Sequence, residues 1–166
     1  MPLDSSPLPA APAGPSFVPA ETVISAAQPE DQPAILALLQ ANQLPTADLP
    51  TAAGLYLLVA RHGGRVAAVA GVQCVGAAGL LRSVATDRDF RRRGLAAHLV
   101  CAVEAQAAVR GVRQLYLLTD TAAAYFAARG YQPAARAGAP PEVRATAEFA
   151  RLCPESAVCL VKTLAR

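Results

Sequence analysis

Apolar and polar positions alternate in blocks that predict a mixed α/β chain. A short strand over Thr22 to Ala26 precedes QPEDQPAILALLQANQL, where Pro29 to Pro33 signal a helix start and Ile35, Leu38 and Leu39 form an apolar stripe. LYLLVAR and RVAAVAGVQCV, separated by His62-Gly63-Gly64, predict a hairpin, and AGLLRSVAT adds the next strand after Gly76 to Gly79. Three antiparallel strands therefore precede residue 87. A stretch free of Gly and Pro from Leu95 to Arg110 predicts a helix, and Gln114 to Thr119 a strand. A helix over Thr121 to Arg129 is closed by Gly130 as a left-handed cap, followed by YQPAARA as a short strand. A polar helix around Glu142 to Leu152 and a last strand, SAVCLVKTL, complete a mixed sheet with helices on both faces.

The junction between LLRSVAT and the Leu95 helix carries the chemistry. Its residues, Arg91-Arg92-Arg93-Gly94-Leu95-Ala96, place a glycine where the backbone can approach a ligand closely. The unpaired N–H groups of the following helix's first turn face that point, and the helix dipole favours negative charge there. Such a turn is an anion cradle suited to a phosphate or pyrophosphate. The bare pattern R-x-x-G-x-A is weak, because an Ala- and Arg-rich chain produces it by chance, and RDFRRRG also reads as a solvated basic turn. The order strand, turn, glycine, helix, strand supplies the missing specificity.

Composition narrows the class. The 166 residues are 54% hydrophobic and 16% charged, which suits one buried core over 21–166. Six of the fourteen prolines fall before residue 20, so residues 1–20 read as a disordered Pro/Ala-rich leader. That leader lacks a basic n-region and a continuous apolar core, and no stretch is long and apolar enough for a membrane span, so a cytoplasmic protein is expected. The formal net charge of +3 is small and Lys162 is the sole lysine. No nucleic-acid partner follows from that balance, and Phe90 alone flanks the basic turn with an aromatic ring.

Four cysteines suit a reducing compartment. Cys74 in a strand and Cys101 in a helix read as small core residues, and the spacing of Cys153 and Cys159 around Pro154 matches no structural zinc pattern. No metal is expected, and Cys159 reads as an inward strand residue.

VATDRDFRRRGLAAHL and TAAAYFAARGY resemble the acetyl-coenzyme A (acetyl-CoA) segment and the following helix of the GNAT superfamily of N-acetyltransferases, across roughly Ala60 to Arg136. The tail EVRATAEFARLCPESAVCLVKTL is similar to a bacterial branch of arsenic-resistance N-acetyltransferases and, more distantly, to N-acetylglutamate synthase. The resemblance implies an α/β (α+β) fold with a mostly antiparallel central sheet and a splayed strand pair that holds acetyl-CoA as co-substrate. It implies that backbone groups of Val84, Ala85 and Thr86 bind the pantetheine arm, and that Arg91 and the N–H groups of Arg92, Arg93, Gly94, Leu95, Ala96 and Ala97 hold the pyrophosphate. The acceptor would be a small-molecule amine, without nucleic acid or membrane, and a homodimer stays open.

Catalytic assignments depart from the family. The family's Tyr general acid stands four residues before the glycine of the Gly-aromatic pair, which here is Phe126. Tyr125, one residue earlier, points about 100° away on a helix, so it is either the acid or a packing aromatic. Leu80 occupies the place of the family's frequent glutamate base. Arg82 and Ser83 interrupt an apolar strand at the depth of a substrate, and a buried guanidinium demands a partner. That partner is either a substrate carboxylate, as in a glutamate-like amino acid or its arsenic or phosphorus analogue, or an acid of the C-terminal helix such as Glu142 or Glu148. Arg144 and Arg151 read as a solvated face. An amino-acid acetyltransferase of N-acetylglutamate synthase type is the runner-up among enzymes, and a CoA-binding sensor without turnover is the alternative from another class.

Overall fold

A computed structural model of the chain describes residues 21–165. The leader expected over residues 1–20 lies outside the described residues. Among the described residues seven strands form one sheet: β1 (Thr22–Ala26), β2 (Leu55–His62), β3 (Arg65–Val75), β4 (Ala78–Thr86), β5 (Gln114–Thr119), β6 (Gln132–Pro133) and β7 (Val158–Thr163). Their spatial order is β1-β2-β3-β4-β5-β7-β6, and every neighbouring pair is antiparallel except β4 and β5. The helices are α1 (Gln32–Ala41), α2 (Leu95–Val109), α3 (Ala123–Ala127) and α4 (Pro141–Arg144).

The period of two along each strand sends neighbouring residues to opposite faces, and both faces are covered. Ala60, Ala68, Ala70, Leu115 and Leu117 pack with Leu95, Leu99, Val103 and Ala107 of α2 and with Phe126 of α3. Their neighbours Val59 and Val69 pack with Ile35, Leu38 and Leu39 of α1, and Leu80 and Tyr116 with Val143 of α4 and Phe149. Small side chains on β3 let α2 lie close to the sheet.

Several expected elements are shorter. The helix expected from Glu142 to Leu152 is broken into α4 and a single π-turn over Glu148–Leu152. The Thr146 hydroxyl donates to the Val143 carbonyl at 2.6 Å, a local bond that competes with the helical ladder. A five-residue hydrogen bond from the Cys153 N–H to the Glu148 carbonyl then closes the wider turn. YQPAARA keeps only Gln132–Pro133 as a strand, at the sheet edge where Pro133 costs no central ladder bond. The helix expected from Thr121 shortens to α3, because the Thr119 hydroxyl accepts the Ala122 N–H at 3.0 Å and holds the entry turn open. Cys101 is exposed on α2, not a core residue, whereas Cys159 is buried on β7.

Candidate active site

The site begins where β4 and β5 part. The two strands pair only from Ala78 to Leu80 with Gln114 to Tyr116, and β5 then continues against β7. The parting has a local cause on β4. Val69 pairs with Ala85 but Gly71 pairs with Arg82, so Ser83 and Val84 together oppose Ala70 alone. Ser83 sits in the left-handed region at φ 57°, the extra residue of a β-bulge that bends its strand. Beyond the bulge, Leu81 to Val84 and Leu117 to Thr119 line a cavity of about 290 Å³.

The anion cradle follows β4. Asp87 accepts the Asp89 N–H at 2.9 Å and is held by Arg65 at 2.7 Å, which fixes the turn into residues 88–90. Arg92 and Gly94 both take positive φ, 64° and 76°, and α2 starts at Leu95. The His98 N–H bonds to the Gly94 carbonyl at 3.1 Å as the first helical bond, so the amides of Leu95, Ala96 and Ala97 precede the ladder. A cavity of about 440 Å³ lies against Val84, Ala85, Thr86, Arg91, Arg92, Gly94, Leu95, Ala96 and Ala97. Arg93 is turned aside, its guanidinium 5.1 Å from the centroid of the Phe90 ring.

Tyr125, Val84 and Asn42 line both cavities, which therefore adjoin one another. The Tyr125 hydroxyl is buried and has no hydrogen-bond partner. Burial pushes its phenol pKa upward, so it stays protonated at neutral pH. The Arg129 guanidinium lies 3.6 Å from the Tyr125 ring centroid, and Phe126 meets that ring edge-on at 5.1 Å. Phe126 itself is buried in the core under Tyr131.

Arg82 forms the polar wall of the first cavity. Its two terminal nitrogens donate to the two Asp48 oxygens at 2.6 and 2.7 Å. Gln73 Oε1 accepts at 3.4 Å, Ser83 Oγ accepts from Nε at 3.2 Å, and Glu148 Oε1 lies 3.2 Å from Nη2. Four hydrogen bonds and the Glu148 ion-pair contact thus occupy the guanidinium. Of the two partners left open by the sequence, the protein's own acids occupy Arg82. Arg144 is tied to the Ala139 carbonyl at 3.0 Å, and Arg151 is exposed.

Sequence reasoning missed Asp48, which sits in the loop between α1 and β2 without any motif. It also missed Asn42, whose side-chain Oδ1 accepts from Arg91 at 2.9 Å. The one available signal for Asp48 was the need of a buried Arg82 for an acid.

Residues 53–133 match the family model described as the acetyltransferase (GNAT) domain. No curated protein sequence matches the chain. Among solved structures, N-acetylglutamate synthase from Neisseria gonorrhoeae, complexed with coenzyme A and N-acetyl-glutamate, superposes with a TM-score of 0.75 at 21% identity, covering 90% of this chain and 36% of that one. A Mycobacterium tuberculosis protein in complex with CoA gives 0.72 at 21% identity, covering 86% and 99%. An Escherichia coli ribosomal-protein-alanine N-acetyltransferase gives 0.66 at 22% identity, covering 87% and 95%. The chain spans about a third of the gonococcal synthase it resembles. With the parted β4–β5 pair and the glycine-opened α2, the match over residues 53–133 shows that this part of the chain resembles the acetyltransferase (GNAT) domain.

Proposed function

We propose that the chain is an N-acetyltransferase that moves the acetyl group of acetyl-CoA to the amino group of a small molecule. The observation that carries this reading is the adjacency of two cavities, one under the first-turn amides of α2 and one in the β4–β5 gap, both lined by Tyr125. The residues fit the co-substrate: free amides and left-handed Gly94 suit a diphosphate, and the bulged β4 leaves backbone groups facing the gap.

When bound, acetyl-CoA supplies an activated acyl thioester. The amides from Arg92 to Ala97, with the Arg91 side chain, hold the diphosphate, and backbone groups of Val84, Ala85 and Thr86 hold the pantetheine arm. Arg82 and Ser83 wall the acceptor cavity. Holding amine and thioester together removes most of the entropic barrier, so no covalent nucleophile is required. The protonated Tyr125 hydroxyl gives its proton to the departing thiolate.

In its finer form, the reading makes the acceptor a glutamate-like amino acid or its arsenic or phosphorus analogue. The resemblance of the C-terminal tail to the arsenic-resistance branch supports it. The free thiol released from acetyl-CoA is followed across a panel holding glutamate, phosphinothricin and unrelated amines. Release with at least one amine is expected. Acetyl-CoA binding without release on any amine would favour a CoA sensor, for which the Phe126 departure is the supporting observation.

A further inference from the structure

The Arg82 cluster holds one cation and two acids. Asp48 takes the two short parallel bonds, and Glu148 is left with a single 3.2 Å approach to Nη2. Glu148 is only 4% exposed, yet it lines the same cavity as Tyr125 and is the one acid among that cavity's described lining residues. With both carboxylates ionised the cluster carries one negative charge in excess, buried and facing the cavity. Such a charge is relieved by a cation or by a proton.

Three groups surround Glu148: Arg82 from β4, Asp48 from the α1–β2 loop, and Cys153 just after the π-turn. Burial and the Asp48 charge raise the Glu148 pKa, while Arg82 and the Cys153 thiol lower it, with burial the largest influence and the net shift upward. Cys153 brings no competing charge, because burial pushes its thiol up to about 12. Leu80, at the place of the family's glutamate, is fully buried in the core with Val143 and Phe149, so β4 offers no acid there. The π-turn explains how a C-terminal residue arrives at the cavity: its wider winding turns Glu148 inward while Arg151 stays outside.

We propose that Glu148 receives the acceptor's ammonium group in this cavity and takes its proton before attack. The assignment rests on the acetyltransferase reading. One N–H proton of R–NH3+ passes to the Glu148 carboxylate, and the freed lone pair forms the N–C bond to the thioester carbonyl. The C–S bond breaks with its electron pair on sulfur, which is protonated by the Tyr125 hydroxyl. The nitrogen's second proton makes good the one given by Tyr125, and Glu148 returns its proton to solvent, one released per turnover.

The test compares wild type, Glu148→Gln and Glu148→Asp in acetyl transfer to L-glutamate, L-phenylalanine, n-butylamine and hydroxylamine, as kcat/KM against pH. Hydroxylamine is unprotonated at neutral pH and needs no base. Glu148→Gln is expected to keep acetyl-CoA affinity, to lose about 100-fold with an ammonium acceptor near neutral pH, and to recover as pH rises and free amine accumulates. Its rate with hydroxylamine should stay within about threefold of wild type, and Glu148→Asp should restore part of the loss. Equal losses on hydroxylamine and on the ammonium acceptor, or an unchanged pH profile, would overturn the assignment while leaving the acetyltransferase reading intact. Wild type that transfers to hydroxylamine alone also contradicts it. Wild type that binds acetyl-CoA and acetylates none of the four sinks the reading itself, and this assignment with it.

Discussion

Arg82 on β4 and Asp48 in the α1–β2 loop meet through two parallel hydrogen bonds of 2.6 and 2.7 Å, both side chains almost wholly buried. The pair fastens the loop that carries Asn42, Leu44 and Pro45 over the cavity to the strand that forms its wall. Removing one partner of a buried ion pair strands the other. Asp48→Asn should therefore cost about 3 kcal/mol in urea unfolding near neutral pH. A cost under about 0.5 kcal/mol would mean that Glu148 alone satisfies Arg82.

The same pair sets a pH dependence. Hydrogen bonds from Arg82 hold the Asp48 carboxyl below its ordinary value of 3.8. A depressed acid contributes stability that is present above the ordinary value and is lost as pH falls through the lower folded value. The stability gap between wild type and Asp48→Asn should thus be constant near neutrality and narrow below about pH 4. Thermal melts across that range check it.

Tyr125 separates packing from chemistry. Its hydroxyl is buried and unpartnered, so Tyr125→Phe removes a group that makes no stabilising bond. Melting temperature and acetyl-CoA affinity should be unchanged, while kcat falls about 100-fold if the hydroxyl protonates sulfur. Unchanged kcat would leave Tyr125 as a packing aromatic.

Two glycines offer a control on the geometry. Gly54 and Gly63 both take positive φ, but a Cβ on Gly54 would come within 2.3 Å of the Cys74 carbonyl oxygen, whereas one on Gly63 would meet nothing within 4 Å. Gly63→Ala should cost about 1 kcal/mol, the backbone penalty alone. Gly54→Ala should cost clearly more, because the obstacle is backbone. Equal costs would contradict the packing of residue 54 on β3.

Cysteine reactivity should divide the same way. Cys101 is exposed on α2, and Cys153 is half-buried with its thiol pushed up to about 12. Alkylation by iodoacetamide at neutral pH, read by peptide mass, should mark Cys101 well before Cys153. Reversal of that order would show an activated Cys153.

Much of this architecture was legible in the sequence. Period-two apolar blocks place β1 to β5, and Gly94 before a Gly- and Pro-free run marks the start of α2, because these are local signals. The parting of β4 from β5 was implied only by resemblance, since it depends on how Ser83 and Val84 register against Ala70, a relation between strands. Asp48 was invisible for the same reason: a loop acid acquires meaning only when a buried guanidinium lies beside it. Glu148 was in view as a partner for Arg82, but its place in the cavity follows from the π-turn, which the Thr146 hydrogen bond sets. Fragmentation of the C-terminal helix is likewise a contest between a side-chain hydroxyl and the backbone ladder.

The central claim is that the α2 amides behind Gly94 grip a diphosphate. Calorimetric titration with acetyl-CoA should show binding by wild type and by Gly94→Ala, which shares the left-handed strain of about 1 kcal/mol, but none by Gly94→Asp, which adds bulk and negative charge against the anion. Undiminished affinity in a folded Gly94→Asp would contradict the account.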